Sequence, residues 1–386
     1  MRKFKSICAL TLVVSLLAGC SSNDKQPANA KEKDSVLKET TTVVETENEE
    51  TTAEETTEEP TTVDLGLYDF TLCFAGDICL AENEATTKLL DESPNGLSDC
   101  ISPELLKIMN NADYMCVNNE FTYSTRGKAL SGKMWTFRAN PSRVSYLHEM
   151  GVDIVLMANN HVYDYGKEAM IDTFETLENA GVKYFGAGRN LEEAMKPVYV
   201  EIDGKTIAYV SASRAEKNKM TPQATETEPG ILRCYDPELF LQVIREARAN
   251  ADFVIANVHW GTERSTKLEN AQLTTGKAYI DAGADIVVGT HPHCLQGIEY
   301  YNGKPIIYSI GNYWFDEYTE DTVLLNLRFS GDKDNSNLEV SVVPAVHKDA
   351  KTTIALEEKE RERIFSYLES ISVNAEIDEN GVVKEK

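Results

Sequence analysis

The sequence is poor in paired cysteines, in basic charge and in histidine, and each shortage closes off a class of function. Its eight cysteines include no Cys-x-x-Cys pair, which disfavours zinc-finger and thioredoxin-like redox sites. Lysine and arginine total 38 against 63 acidic residues, a formal net charge of −25. A chain this acidic does not hold a phosphate backbone by general attraction, so nucleic acid is not an expected partner. No internal repeat is visible. The apolar run from Ile7 to Ala18 is too short to span a bilayer comfortably. With six histidines in 386 residues, any cluster among them carries weight.

What is present starts with an address. Met1-Arg2-Lys3-Phe4-Lys5 is a short basic head before the apolar run, the flank of a secretory signal. The run ends in Leu17-Ala18-Gly19-Cys20-Ser21-Ser22, which resembles the bacterial lipobox, in which the cysteine is diacylated and becomes the new N-terminus. Residues 1–20 are therefore expected to be a lipoprotein signal peptide, with Cys20 the lipidated residue. The competing reading is a plain signal with a chance cysteine. Two acyl chains hold stably where one is marginal, which places the protein on the outer face of the cytoplasmic membrane. From residue 21 to 69 the chain is Thr, Glu, Lys and Ala with almost no large apolar side chain, an acidic tether expected to stay disordered.

The rest has the makings of a core, at 42% apolar and 26% charged residues over the whole chain. Order is expected from Phe70, in one domain over 70–320 that residues 321–386 complete with strands and a helix. Helical patterns cover Glu104–Asn110, Ser142–Met150, Lys167–Ala180, Pro237–Asn250 and Asn270–Ala282. Between them lie apolar runs at Tyr114–Val117, Ile154–Met157, Phe253–Val258 and Ile286–Val288, an alternation that indicates an α/β fold with a largely parallel sheet and helices outside. Hairpins are expected across Asp203-Gly204 and Asn302-Gly303, whose residues tolerate positive φ. Late strands at Thr322–Arg328 and Leu338–Val343 precede a helix at Glu357–Ser370 and make the sheets mixed. Of the cysteines left after the signal and Cys20, those at 73, 116 and 234 read as core residues, and no disulfide framework is expected.

In open α/β sheets, sites gather beyond the C-terminal ends of the strands. Asp77 ends the first run, Asn118-Asn119-Glu120 the second, Asn159-Asn160-His161 the third; His259 and His291-Pro292-His293 follow two later ones. Four of the six histidines fall there; His148 and His347 do not. Carboxylates with imidazoles suit Zn, Mn or Fe rather than Ca or Mg alone. Asp77, Glu120, Asn160, His259, His291 and His293 would serve as ligands to one or two divalent ions sharing a carboxylate. His161 remains as a general acid for a leaving group. Taken singly, Asp77 could be a turn residue, Asn160 a helix cap and His259 a core histidine; five polar groups at five strand ends are harder to explain so.

Phe74-Ala75-Gly76-Asp77-Ile78, Asn119-Glu120, Ala158-Asn159-Asn160-His161, Asp164-Tyr165-Gly166, His259-Trp260-Gly261-Thr262-Glu263, Thr290-His291-Pro292-His293 and Tyr308-Ser309-Ile310-Gly311-Asn312 together resemble the bacterial capsule-synthesis CapA family, from about Phe70 to Asp316. That family is associated with poly-γ-glutamate capsules and resembles the calcineurin-like metallophosphoesterases. The resemblance implies a four-layer α/β/β/α sandwich with two metals. It puts Asp77 and Glu120 at the first and bridging carboxylates, Asn160 and His259 at ligand positions, His291 and His293 on the two ions, and His161 at the acid. Three departures stand out: Cys79 replaces the histidine of Asp-x-His, Glu120 replaces an aspartate at the bridge, and Asn119 replaces a leucine. The resemblance implies an accessory protein for an anionic polymer, beside a membrane-embedded ligase or exporter, with Arg138, Lys167 and Arg264 as possible sources of positive charge. A metal-dependent phosphoesterase acting on a phosphorylated envelope component, and a scaffold with a vestigial site, are the competing readings.

Overall fold

The first strand, Tyr68–Ile78, shows why the chain folds in layers. Leu72 and Phe74 point into one apolar cluster and Cys73 and Ala75 into another, the period of two that sends alternate side chains to opposite faces of a sheet. A strand buried on both faces reads as a continuous apolar run, and this one does. The structure, a computed structural model, describes residues 66–386; the expected signal peptide, Cys20 and nearly all of the expected tether lie outside the described residues. The strand starts at Tyr68, slightly ahead of the Phe70 expected from the sequence.

Two sheets dominate. The larger runs in the order Ala375–Ile377, Val382–Glu385, Ser336–Lys348, Glu320–Gly331, Tyr68–Ile78, Tyr114–Asn119, Ile154–Leu156, Lys183–Phe185. The last four of these are parallel, and Glu320–Gly331 pairs antiparallel with Tyr68–Ile78. The smaller runs Leu295–Tyr301, Lys304–Ile310, Ile286–Thr290, Phe253–His259, Lys205–Ser213, Val198–Ile202, parallel in its centre with a hairpin at each edge. The hairpin turns are those expected: Asp203 and Gly204 at φ 49° and 75°, Asn302 and Gly303 at 53° and 73°.

Three apolar clusters separate four layers. Helices Pro103–Asn111 and Gly166–Ala180 put Leu105, Met109, Met170 and Phe174 against the outer face of the larger sheet. Leu72, Phe74, Leu325 and Leu327 meet Tyr209, Ile255, Val288 and Ile307 between the sheets. Helices Glu238–Asn250 and Asn270–Asp281 cover the far face of the smaller sheet through Phe240, Ile244, Tyr279 and Ile280. This is the mixed α/β/β/α sandwich expected from the sequence. The C-terminal strands Glu320–Gly331 and Ser336–Lys348 belong to the same sheet as the first strand.

One element differs from the sequence reading, and one expected helix takes an unusual place. The expected helix over 142–150 is a 3-10 turn, Pro141–Val144, followed by the short helix Ser145–Glu149. Asn140 caps this start by accepting from Ser142 N at 3.0 Å, and tight i→i+3 turns are common at such starts. The late helix, Glu358–Ser370, is not in an outer layer. Ile364, Phe365 and Leu368 join the cluster between the sheets, because Leu295–Tyr301 and Ala375–Ile377 leave that edge open to an apolar stripe. Among the described residues, no helix is long and apolar enough to cross a membrane. The cysteines at 73, 79, 100, 116, 234 and 294 are free thiols.

Candidate metal centre

The donors come from both sheets. Asp77 is the penultimate residue of its strand, Glu120 follows Tyr114–Asn119, and Asn160 and His161 lie beyond Ile154–Leu156. From the smaller sheet, His259 ends its strand, and His291 and His293 occupy the turn after Ile286–Thr290. Both turn histidines hold positive φ, 96° and 57°. Such strain costs of order 1–3 kcal/mol and collects where a side chain must be aimed.

Glu120 is the hub. Its Oε1 lies 3.6 Å from His259 Nε2, 3.8 Å from His161 Nε2 and 4.0 Å from His293 Nε2. Donor atoms of Asp77, Glu120 and His293 fall within 4.8 Å of one another, and so do those of Glu120, His259 and His291. Glu263 forms a third such group with His291 and His293. Asn160 Oδ1 is 2.7 Å from His259 Nε2. The structure thus brings all six expected ligands together, with Glu120 common to two of the sets.

Neighbouring amides hold the donors in place. Asn118 Nδ2 donates to Asp77 Oδ1 at 2.7 Å and to Glu120 Oε2 at 3.2 Å, while Asn159 Nδ2 donates to Asn118 Oδ1 at 3.0 Å. His293 Nδ1 is 2.8 Å from Asn312 Oδ1, and His161 Nδ1 is 2.7 Å from Asp164 Oδ2, which fixes each ring through one nitrogen and leaves the other toward the centre. Asp164 is pinned in turn by Phe137 N at 2.7 Å and Lys133 Nζ at 2.6 Å. Lys133 also pairs with Glu216 at 2.7 Å.

The donor set fits divalent cations. Glu120 Oε1 and His291 Nδ1 are buried and make no hydrogen bond, an expensive arrangement unless a ligand is to take those atoms, and Asp77 Oδ2 has His293 Nδ1 at 3.2 Å beside it. Burial, reinforced by neighbouring imidazoles, holds His259 and His291 well below the usual histidine pKa, so both present neutral rings. Burial and the charges of Asp77 and Glu263 raise Glu120 well above the carboxylate range. Burial opposes charge on His293, yet its contacts with Asp77 and Asn312 leave its pKa above the ordinary value. Burial lowers His161 despite the pull of Asp164.

Cys79 is fully buried, burial raises its thiol well above the usual range, and it joins none of the donor groups among the described residues. Asn119, in the place of a leucine, is buried and donates to Phe121 O at 2.9 Å. The three basic residues considered as sources of positive charge are spoken for. Arg264 pairs with Asp316 at 2.7 Å and with Glu320, Lys167 with Glu228 at 2.6 Å, and Arg138 lies over the Tyr165 ring at 4.3 Å. His347 is a core histidine, its Nε2 2.6 Å from Asp316 O. Sequence reading missed the roles of Asp164, Lys133 and Asn312. Asp164 had a signal, standing three residues after His161; Lys133, in a loop, had none.

A family model described as bacterial capsule synthesis protein PGA_cap matches residues 71–317. The chain belongs to the PGA_cap family. The matched span contains every donor of the centre. This PGA_cap chain is 36% identical over 234 residues to the PGA biosynthesis protein CapA of Bacillus subtilis (strain 168), covering 59% of this chain and 60% of that protein. It is 30% identical over 281 residues to the capsule biosynthesis protein CapA of Bacillus anthracis, covering 70% and 67%. The match therefore spans about three fifths of the B. subtilis relative. Among solved structures, TT1561 of Thermus thermophilus aligns at 8% identity with a TM-score of 0.37, over 67% of this chain and 94% of that one. Vps29 of Entamoeba histolytica complexed with zinc aligns at 12% identity with a TM-score of 0.23, over 58% and 95%. Both of these likenesses are slight.

Proposed function

We propose that this chain takes part in the synthesis, export or anchoring of an anionic capsule polymer of the poly-γ-glutamate type, through a centre that holds two divalent ions. One observation carries the proposal: Glu120, fully buried, belongs to both donor sets and leaves Oε1 without a hydrogen bond. The names of the two Bacillus relatives support the polymer. The imidazole-rich donors favour Mn, Zn or Fe. Such ions, when bound, lower the pKa of water and neutralise charge that develops on a reacting oxygen. The chain's own part is to aim the donors from both sheets, to exclude bulk water and to present His161. The lipobox-like Leu17-Ala18-Gly19-Cys20 supports attachment through Cys20 to the outer face of the cytoplasmic membrane, near a membrane-embedded ligase or exporter.

Elemental analysis of the purified full-length chain tests the centre. Two ions per chain are expected, fewer in Glu120→Gln, with loss of polymer in a capsule-forming host that carries the variant. A metal-free protein and an unaffected capsule would overturn the proposal. Cys20→Ser should move the protein from the membrane to the soluble fraction.

A second reading, a metal-dependent phosphoesterase or other hydrolase acting on a phosphorylated envelope component, is favoured by the His161–Asp164 pair. Its hydrogen bond of 2.7 Å orients the ring so that Nε2 faces Glu120 at 3.8 Å, suited to giving a proton to a leaving oxygen. Phosphate esters assayed with Mn or Zn decide it: turnover lost in His161→Ala at unchanged metal content supports the enzyme, and no turnover with any metal leaves the accessory role.

A further inference from the structure

The two ion positions are unequally supplied. Glu120, His259 and His291 form one set, and Asn160 Oδ1 beside His259 brings it to four donors. Asp77, Glu120 and His293 form the other, with the Nδ1 side of His293 already turned to Asn312, so it has three. Zinc sites built wholly from protein use four donors, and manganese sites take more. Nothing further along the first strand makes up the difference, since Cys79 belongs to none of the donor groups found among the described residues.

The missing donor is at hand on the neighbouring loop. Beyond Phe253–His259 the chain turns at Gly261 (φ 90°) and Arg264 (φ 58°). Arg264 N donates to Pro292 O at 2.7 Å, which ties this loop to the His291–His293 turn. Between the two turn residues stands Glu263, one carboxylate oxygen of which lies within 4.8 Å of ring nitrogens of both His291 and His293. A second observation points to a ligand at the same spot: His291 is only 6% exposed, and its Nδ1 has no hydrogen-bond partner. Glu263 itself lines the cleft of about 780 Å³ that opens over His161 and His293.

We propose that Glu263 is a metal ligand, a further donor beside His291 and His293 at the mouth of the cleft. This rests on the reading of the centre as a cation site.

The test is equilibrium dialysis of the full-length chain against Mn²⁺ after chelation, with bound ions counted by elemental analysis. Wild type should bind two. Glu263→Gln should keep one tight ion and weaken the other at least about tenfold. Glu263→Asp keeps the charge but withdraws the oxygens by one methylene, and should weaken the same ion. Glu317→Gln removes a charge from the same cleft outside every donor group and should leave both ions unchanged. Matching thermal unfolding of all four proteins in chelator establishes that each is folded. Wild-type binding in Glu263→Gln, or equal weakening in Glu263→Gln and Glu317→Gln, would overturn the ligand assignment and leave the two-ion reading standing. A wild-type chain that binds no ion would overturn both.

Discussion

The Lys133–Asp164 pair can be weighed without knowing any substrate. Lys133 is 4% exposed at its side chain and Asp164 0%, with 2.6 Å between Nζ and Oδ1. Removing one partner of a buried pair costs about 3–5 kcal/mol, because the other is left charged in a poor solvent. Here the remaining partners soften the loss. In Asp164→Asn, Lys133 keeps Glu216 at 2.7 Å, and that carboxylate is 23% exposed, so the cost should fall to about 3 kcal/mol. In Lys133→Met, Asp164 keeps the Phe137 amide and the His161 ring, and about 2 kcal/mol should go. The double variant loses the shared interaction once, so it should fall short of the sum by about 1–2 kcal/mol. Chemical denaturation of the four proteins in chelator measures the cycle. Losses that add to within about 0.5 kcal/mol would refute the pair as described, and with it the clamp that orients His161.

Metal should stabilise the fold, since ions bind the native chain and not a chain with its donors dispersed. At a hundred times Kd each site contributes about 2.7 kcal/mol, readable as a rise in Tm on adding Mn²⁺ that is absent in a His291→Ala/His293→Ala variant. Cys79→Ala should leave ion content unchanged and cost about 1 kcal/mol for the small void; elemental analysis showing a lost ion would make the thiol a ligand after all. In Gly76→Ala the new Cβ would sit 1.8 Å from Gly311 O, so about 3 kcal/mol or more should be lost. Gly303→Ala, with nothing within 4 Å but φ at +73°, should lose only about 1 kcal/mol, and equal falls in Tm for the two would contradict the close approach.

Period-two runs and amphipathic stretches made the four layers readable, because every central strand is covered on both faces and every outer helix on one. The donors could be found for the same reason: where an apolar strand turns polar at Asp77, Glu120 or His259 while still buried, the side chain needs a partner rather than a packing neighbour. What stayed hidden depends on contacts distant in sequence. Lys133 lies in a loop of no periodicity and gains meaning only from Asp164 and Glu216. Asn312 reaches His293 because Gly311, at φ 73°, carries the chain from the smaller sheet to pair beside Asp77 in the larger. The placement of Glu358–Ser370 follows from an open edge, which no local pattern records. Glu263 stood in a motif quoted from the sequence, but only the turn at Gly261 brings it back toward the histidines.

The centre draws Asp77, Glu120 and Asn160 from one sheet and His259, His291 and His293 from the other, while the wedge of Ile364, Phe365 and Leu368 joins the sheets along an edge. With ions bound as proposed, the sandwich would have two fasteners of different kinds, an apolar one that metal does not touch and an ionic one that a chelator undoes.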